Sequence, residues 1–407
     1  MINVKSEILS LKGIILHRPG NELLNLTKDN INKHMYEDIP YLQTVRMEHD
    51  DFVKILKQND VTVMYLEDLM TDVLNENPYL KEKFIKQYVY EAGIKTPKYK
   101  DAVINYLSEF TNNYDLVLKT IEGININELS MMEKDYNHSL VDLVNDESML
   151  IAEPMANLMY VGGLATVIGN GVCLNKMLLD LRNRESIYFE YIFNYHNDFK
   201  DTIKFYDRYQ DHSLEGGDIL VLDNHLVLMG ISERTKPEAI EKLSMNLFND
   251  RDSSVDTVIA IKIPEERSTM HLDSVLCQVD YDKYIYYPGI MDKLKVFELK
   301  KDAMDELVVR ELTGNLEDII ERYVRRDITL IPLGGGDRII ADREQWSEGN
   351  NILSIAPGVV ISYDRNNITN AILRRYGVKV YEILSGELSR GRGGPRCLSV
   401  PIWRSDK

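Results

Sequence analysis

Pairs of alternating apolar and polar runs recur along this chain, each pair followed by a stretch with helical spacing and then by one more apolar run. GDILVLDNHLVLMGI (217–231) alternates about Asp223-Asn224 and predicts a β-hairpin. TKPEAIEKLSMNLF (235–248) predicts a helix with a Thr235…Glu238 capping box and apolar Ile240, Leu243 and Leu247 on one face. TVIAIKI (257–263) closes the unit as a strand. The same order returns in NILSIAPGVVISYDR (351–365), ITNAILRRYG (368–377) and VKVYEIL (378–384).

Fainter copies begin at LMYVGGLATVIGNGVCLNKM (158–177), continuing into the helix-like ESIYFEYIFNYH (185–196), and at MHLDSVLCQVDYDKYIYY (270–287). A first copy is assembled from the strand KGIILHRPG (12–20), an amphipathic stretch around HDDFVKILKQND (49–60) and the strand VTVMYLEDL (61–69). Five copies of one αβ unit point to radial repetition around an axis, with a central site ringed by corresponding loops. A chance likeness among ordinary α/β units is the competing reading. Residues 71–150 break the pattern: YLKEKFIKQYVYEAG (79–93), KYKDAVINYLSEF (98–110) and NYDLVLKTIEG (113–123) all have helical spacing. Gly93 is placed to end the first of these helices. The chain therefore divides into a first unit (1–70), a helical insertion (71–150) and the remaining units with the C-terminal loop (151–407).

A net charge of −17 excludes a nucleic-acid-binding or anionic-membrane surface and suits a cationic small molecule. The N-terminal MINVKSEILSLKGIILHRPG carries no long apolar run, so neither a signal peptide nor a membrane span is expected. Three widely spaced cysteines, Cys173, Cys277 and Cys397, fit neither a disulfide framework nor a zinc cluster, and point to the cytoplasm.

Three polar clusters stand at the same place in different units, beside the first strand of a hairpin. LEGGD (214–218) carries Glu215 and Asp218, MHLD places His271 and Asp273 on one face of a strand, and RGRGGPRCL (390–398) carries Cys397. Taken singly, the first could be a plain turn, His271 a core histidine and the last a basic tail. Together they suit one chemistry: a cysteine nucleophile, a proton-shuttling histidine and carboxylates that hold a cation. Arg392 and Arg396 are expected to favour the Cys397 thiolate. Guanidinium is the natural electrophile, because its planar fork matches carboxylates. A metal is not expected, since short ligand spacings are missing.

EGGD, MHLD and RGRGGPRC, in that order, resemble arginine deiminase of the guanidino-group-modifying (pentein) superfamily. So do SEILSLKGIILHRPGNELLNLT (6–27), EDIPYL (37–42), EPMANL (153–158), SERT (232–235) and REQWSEGNN (343–351). The resemblance implies a five-bladed, pseudo-symmetric α/β-propeller of ββαβ repeats with a helical insertion. It also implies cofactor-free hydrolysis of L-arginine to L-citrulline and ammonia through a covalent thiouronium on cysteine. By the same resemblance Cys397 is the nucleophile and His271 the general acid/base, while Glu215 and Asp273 bind the guanidinium. Asn157, Arg182 and Arg234 hold the α-amino and α-carboxylate groups. Asp218 belongs to the substrate-binding set, and Arg392 is a mobile gate that Gly391 lets swing. The expected form is a homo-oligomer acting on a small guanidino substrate.

One segment departs. Where the family has Phe-Thr-Arg-Asp-Pro, this chain reads Tyr160-Val161-Gly162-Gly163-Leu164, and Gly163 occupies the place of a guanidinium-binding aspartate. Losing one partner of a buried charge pair costs on the order of 2–5 kcal/mol. Impaired turnover of arginine is therefore expected. A catalytically silent relative that binds arginine or citrulline or partners an active homologue, and a hydrolase of another guanidino or ureido compound, stay open as alternatives.

Overall fold

A computed structural model describes residues 2–129 and 150–405. Its mixed α/β architecture rests on one repeated connectivity. An outer strand pairs antiparallel with a middle strand, which pairs parallel with a third. This holds for Ala165–Ile168, Gly171–Leu174 and Ile203–Tyr206, and for Ile219–Val221, Leu226–Ile231 and Thr257–Lys262. It recurs in Leu276–Gln278, Lys283–Tyr286 and Thr329–Pro332, and in Leu353–Ala356, Val359–Tyr363 and Lys379–Ile383. In the fifth case the outer strand is C-terminal: Val400–Ser405 pairs with Ser10–Leu16, which pairs with Thr62–Tyr65. A parallel pair needs a crossover. The helices Leu42–Gln58, Ile187–Tyr195, Pro237–Asn249, Leu316–Val324 and Asn367–Arg375 supply the five.

The expected hairpins, helices and closing strands thus form, with differences that matter. The fourth unit is interrupted after Tyr286: Lys295–Lys301 and Leu307–Leu312 leave it and extend the third unit's sheet to five strands. Its closing strand arrives only at Thr329. The first unit borrows its outer strand from the far end of the chain, which local alternation cannot reveal. The strand expected over 61–69 ends at Tyr65, because Leu66, Leu69, Met70, Val73 and Leu74 bury one face of a helix spanning Leu66–Glu76.

That helix begins the helical region. Leu80–Glu91, Pro97–Ser108 and Asn113–Glu122 follow, and all share one apolar cluster with Ile187–Tyr195. Phe84 meets Tyr191 edge-on at 5.4 Å, tying this region to the second unit. Gly93 adopts φ +69 just after the second helix of the region, as its place in the sequence requires. Residues 130–149 of the expected insertion lie outside the described residues. Among the described residues no helix is long and apolar enough to cross a membrane.

The Thr235…Glu238 capping box does not form. The helix starts at Pro237 with Lys236 at its N-cap and no side-chain cap. Thr235 is engaged elsewhere: its hydroxyl accepts a hydrogen bond from the Glu215 amide at 3.0 Å.

Candidate active site

Short 3-10 turns precede the outer strands, and these turns carry the polar clusters. Val161–Gly163 leads into Ala165–Ile168, Gly216–Asp218 into Ile219–Val221, and Leu272–Ser274 into Leu276–Gln278. Cys397 stands just before Val400–Ser405. His271 and Asp273 therefore lie on a turn and not, as expected, on one face of a strand. The turns touch directly. A Cβ on Gly216 would sit 2.0 Å from the Gly162 carbonyl oxygen, and one on Gly217 2.7 Å from the His271 ring, so only glycines allow this packing.

His271 Nε2 and Glu215 Oε2 meet at 2.8 Å, with Glu215 fully buried. The other Glu215 oxygen accepts the Leu178 amide at 3.0 Å. Burial opposes the Glu215 charge, but the His271 contact and the charges of His271, Arg234 and Arg182 outweigh it and lower the carboxyl's pKa. Burial likewise disfavours imidazolium, yet Glu215, Asp218 and Asp273 raise His271 above its usual value. The two shifts favour the imidazolium–carboxylate form of the pair.

Cys397 Sγ lies 3.8 Å from Asp273 Oδ2. Its surroundings reverse the sequence expectation. Arg396 turns to Glu7 and Asp273, donating to Asp273 Oδ2 at 3.0 Å. Arg392 pairs with Glu348 at 3.3 Å and stacks over the Trp346 ring at 3.7 Å. Burial, Asp273 and Glu348 together push the Cys397 thiol well above its usual range, against a smaller opposing effect of Arg396. The thiol is therefore held in its protonated form at neutral pH.

The remaining expected residues are buried around this centre. Asn157 donates to the His34 carbonyl at 2.8 Å, and Arg182 pairs with Glu185 at 3.1 Å while donating to the Asn157 and Tyr160 carbonyls. Arg234 touches Met35 Sδ at 3.0 Å and keeps a buried Nε with no partner among the described residues. Asp218 is a scaffold group: its oxygens accept the Leu272 amide at 2.8 Å and the Ser232 hydroxyl at 2.7 Å, leaving it poorly placed as a substrate ligand. At Gly391 a Cβ would sit 2.6 Å from the Tyr160 ring, so glycine is needed for packing there; the left-handed residue is Arg392, at φ +60. At Gly163 a Cβ would meet only Met177 at 3.4 Å and Arg182 at 3.6 Å, ordinary contacts.

Residue-by-residue reasoning missed Trp346, Glu348 and Asn351, all inside the quoted REQWSEGNN. Asn351 Oδ1 accepts the Cys397 amide at 3.0 Å and the Gly394 amide at 3.1 Å. Tyr160, noted only as part of the altered segment, donates its hydroxyl to the Leu388 carbonyl at 2.6 Å and Tyr363 does the same to Gly393 at 2.7 Å, so both ends of the arginine loop are held. The signal available was a polar run, WSEGNN, between a helix and a strand.

The family profile described as arginine deiminase matches residues 33–404. An arginine deiminase from Treponema denticola is 44% identical over 100% of this chain and 99% of its own length. One from Clostridium perfringens is 45% identical over 100% and 98%. Among solved structures, the N-terminal domain of ArgZ, described as an arginine dihydrolase of cyanobacteria, superposes with a TM-score of 0.55 at 14% identity, covering 96% of this chain and 97% of that one. A dimethylarginine dimethylaminohydrolase from Pseudomonas aeruginosa gives 0.53 at 12% identity, covering 97% and 100%. These two likenesses concern the fold.

Proposed function

The chain belongs to the arginine deiminase family, and on that premise we propose that it is a hydrolase converting L-arginine and water to L-citrulline and ammonia. The observation that carries the reading is the partly buried Cys397 thiol 3.8 Å from the Asp273 carboxylate, with the neighbouring Arg396 and Arg392 paired to carboxylates. Such a thiol becomes a nucleophile only when a positive charge is bound beside it, and a guanidinium is both that charge and the electrophile. The substrate thus activates the group that attacks it.

The guanidinium enters over Asp273; its charge lowers the pKa of the Cys397 thiol, which gives its proton to solvent, and the Sγ thiolate adds to the central carbon. Imidazolium His271 protonates the departing nitrogen, which leaves as ammonia, and a bond to sulfur remains as the thiouronium. Neutral His271, held by Glu215 at 2.8 Å, then takes a proton from water as the water's oxygen adds to the same carbon. Collapse breaks the C–S bond, the hydroxyl proton passes to the expelled Cys397 sulfur and restores the thiol, and the ureido group of citrulline is left. Arg182, Arg234 and Asn157 receive the amino-acid end, and Arg392 closes over the head group.

Five units of one connectivity, with their polar turns in mutual contact, support an arrangement of the sheets about a common axis, a propeller of ββαβ blades carrying the helical region as an insertion between the first two. The three unpaired cysteines suit the cytoplasm. The sheet-edge strand Leu307–Leu312 offers a place for identical copies to associate. The test of the central reading is to incubate purified protein with arginine and a panel of guanidino compounds, following ammonia and ureido products. Citrulline from arginine, abolished in Cys397→Ser, is the expected result; turnover surviving that change would overturn it.

A further inference from the structure

Gly163 leaves the guanidinium site one carboxylate short of the family pattern, and the space beside it faces Met177 and Arg182. We infer that Glu348 is the second guanidinium-binding carboxylate of this chain, holding the substrate head group together with Asp273. The assignment rests on the deiminase reading and names the group that makes it workable here.

Placement comes first. Glu348 sits three residues before Asn351, and its carbonyl accepts the Asn351 amide at 3.0 Å. The segment that positions Cys397 through its amide therefore also carries Glu348.

The backbone is the second observation. The helix Arg338–Trp346 ends at Ser347, and Glu348 follows with φ +62. Helices commonly end with glycine in this left-handed position, where a side chain is disfavoured. Glycine is next in line at 349, yet the strained position holds a glutamate that is only 6% exposed. A strained, buried carboxylate at this place points to a role beyond ending a helix.

Third, Glu348 already binds a guanidinium. One of its oxygens, Oε1, meets Arg392 Nε at 3.3 Å, while Oε2 accepts no hydrogen bond from any described residue. Arg392 is itself left-handed at φ +60, and its buried Nη1 has no partner among the described residues. A carboxylate with one free oxygen and a single contact to a gate has capacity for a second guanidinium, or for exchanging the first.

Finally, Asp273 and Glu348 are the two carboxylates that weigh on Cys397. Burial, with Asp273 adding to it against Arg392, holds the Glu348 carboxyl up to about 7. A cation bound among the three groups relieves all of them together. The competing role is a latch that serves only Arg392.

The two roles separate in the Cys397→Ala protein, with arginine and neutral citrulline as probes in calorimetry. Glu348→Gln should weaken arginine roughly thirty-fold, the lower end for losing one partner of a buried charge pair, and leave citrulline nearly unchanged. Adding Gly163→Asp should recover most of that loss. Equal losses for the two ligands would identify a latch and overturn the assignment, as would no loss for either. If Glu348→Gln does not fold, Glu348→Asp takes its place, with a smaller loss of the same selectivity expected. Absence of arginine binding in Cys397→Ala itself would remove the deiminase reading, and the assignment with it; arginine binding indifferent to Glu348 would remove the assignment alone.

Discussion

Asn351 holds Cys397 by the backbone. Its side-chain oxygen accepts both the Cys397 amide, at 3.0 Å, and the Gly394 amide, at 3.1 Å, so the thiol's position is set from the segment entering another sheet. Asn351→Ala leaves two buried amides unpaired, at a cost of about 1–3 kcal/mol each. The expected outcome is a lower thermal midpoint and a fall of at least about tenfold in the rate of thiouronium formation, since attack depends on alignment. Single-turnover quench experiments read that rate. A lower midpoint with an unchanged rate would show that Asn351 serves folding alone.

Cys397 should alkylate faster than Cys173 or Cys277, but through exposure and not through a low pKa. The latter two are buried, and burial raises Cys277 to about 12 and lifts Cys173 further still. Because burial, Asp273 and Glu348 also push Cys397 up, its iodoacetamide rate should keep climbing with pH past its usual value of 9.0 without a plateau. A plateau near neutral pH would mean a preformed thiolate.

The His271–Glu215 pair makes stability depend on pH in a defined window. His271 is raised from 6.5, so its contribution is complete below that value and is lost as pH rises through the raised one. Glu215 is lowered from 4.5, so its contribution is present above that value and is lost as pH falls through the lowered one. Glu215→Gln should therefore destabilise most between about pH 4.5 and 6.5, and less on the alkaline side. Thermal midpoints of both proteins across pH test this; a constant difference would contradict it.

Glu348 has the opposite sign. Its carboxyl is raised from 4.5 to about 7, so the folded protein binds the proton more tightly and stability falls as pH rises between those values. Glu348→Gln should flatten that fall. Denaturant titrations at pH 5 and pH 7 would reveal it, and an unchanged slope would show that Glu348 is ionised throughout.

Gly163→Asp should be tolerated and should raise turnover of arginine at least tenfold, because the new Cβ makes only ordinary contacts and the carboxylate gains Arg182 nearby. Gly162→Ala should behave differently. Its Cβ would approach the carbonyl oxygens of Ser399, Arg396 and Cys397 at 2.8, 2.9 and 3.0 Å, so destabilisation of about 1–3 kcal/mol is expected. Initial rates and melting curves separate the two effects. Undiminished wild-type turnover relative to Gly163→Asp would mean the missing aspartate is fully compensated.

Local pattern carried a great deal. The Asp223-Asn224 hairpin, the helix following Thr235 and the closing strand at 257 form because alternation and helical spacing dictate which face each element can bury. The candidate set was visible too: Cys397, His271, Glu215 and Asp273 lie in short motifs at matching places before outer strands, and the structure brings His271 to Glu215 and Cys397 near Asp273. What the motifs left open was the company each residue keeps. Arg392 and Arg396 are beside Cys397 in sequence, yet carboxylates distant in the chain draw their charges away: Glu7 and Asp273 for one, Glu348 for the other.

The amino-acid sequence by itself determined the repeated unit and the chemistry available to it, because periodicity and residue type act over a few neighbours. Tertiary structure alone decided that Val400–Ser405 completes the first sheet, that Lys295–Leu312 joins the third, and that the Cys397 thiol is held up by burial and by carboxylates. Pairing between strands hundreds of residues apart depends on which edges are left free once the other elements have packed. Likewise, the charge state of a buried group depends on the sum of burial and all nearby charges, and here Glu348, 49 residues from Cys397 in the chain, outweighs an adjacent arginine.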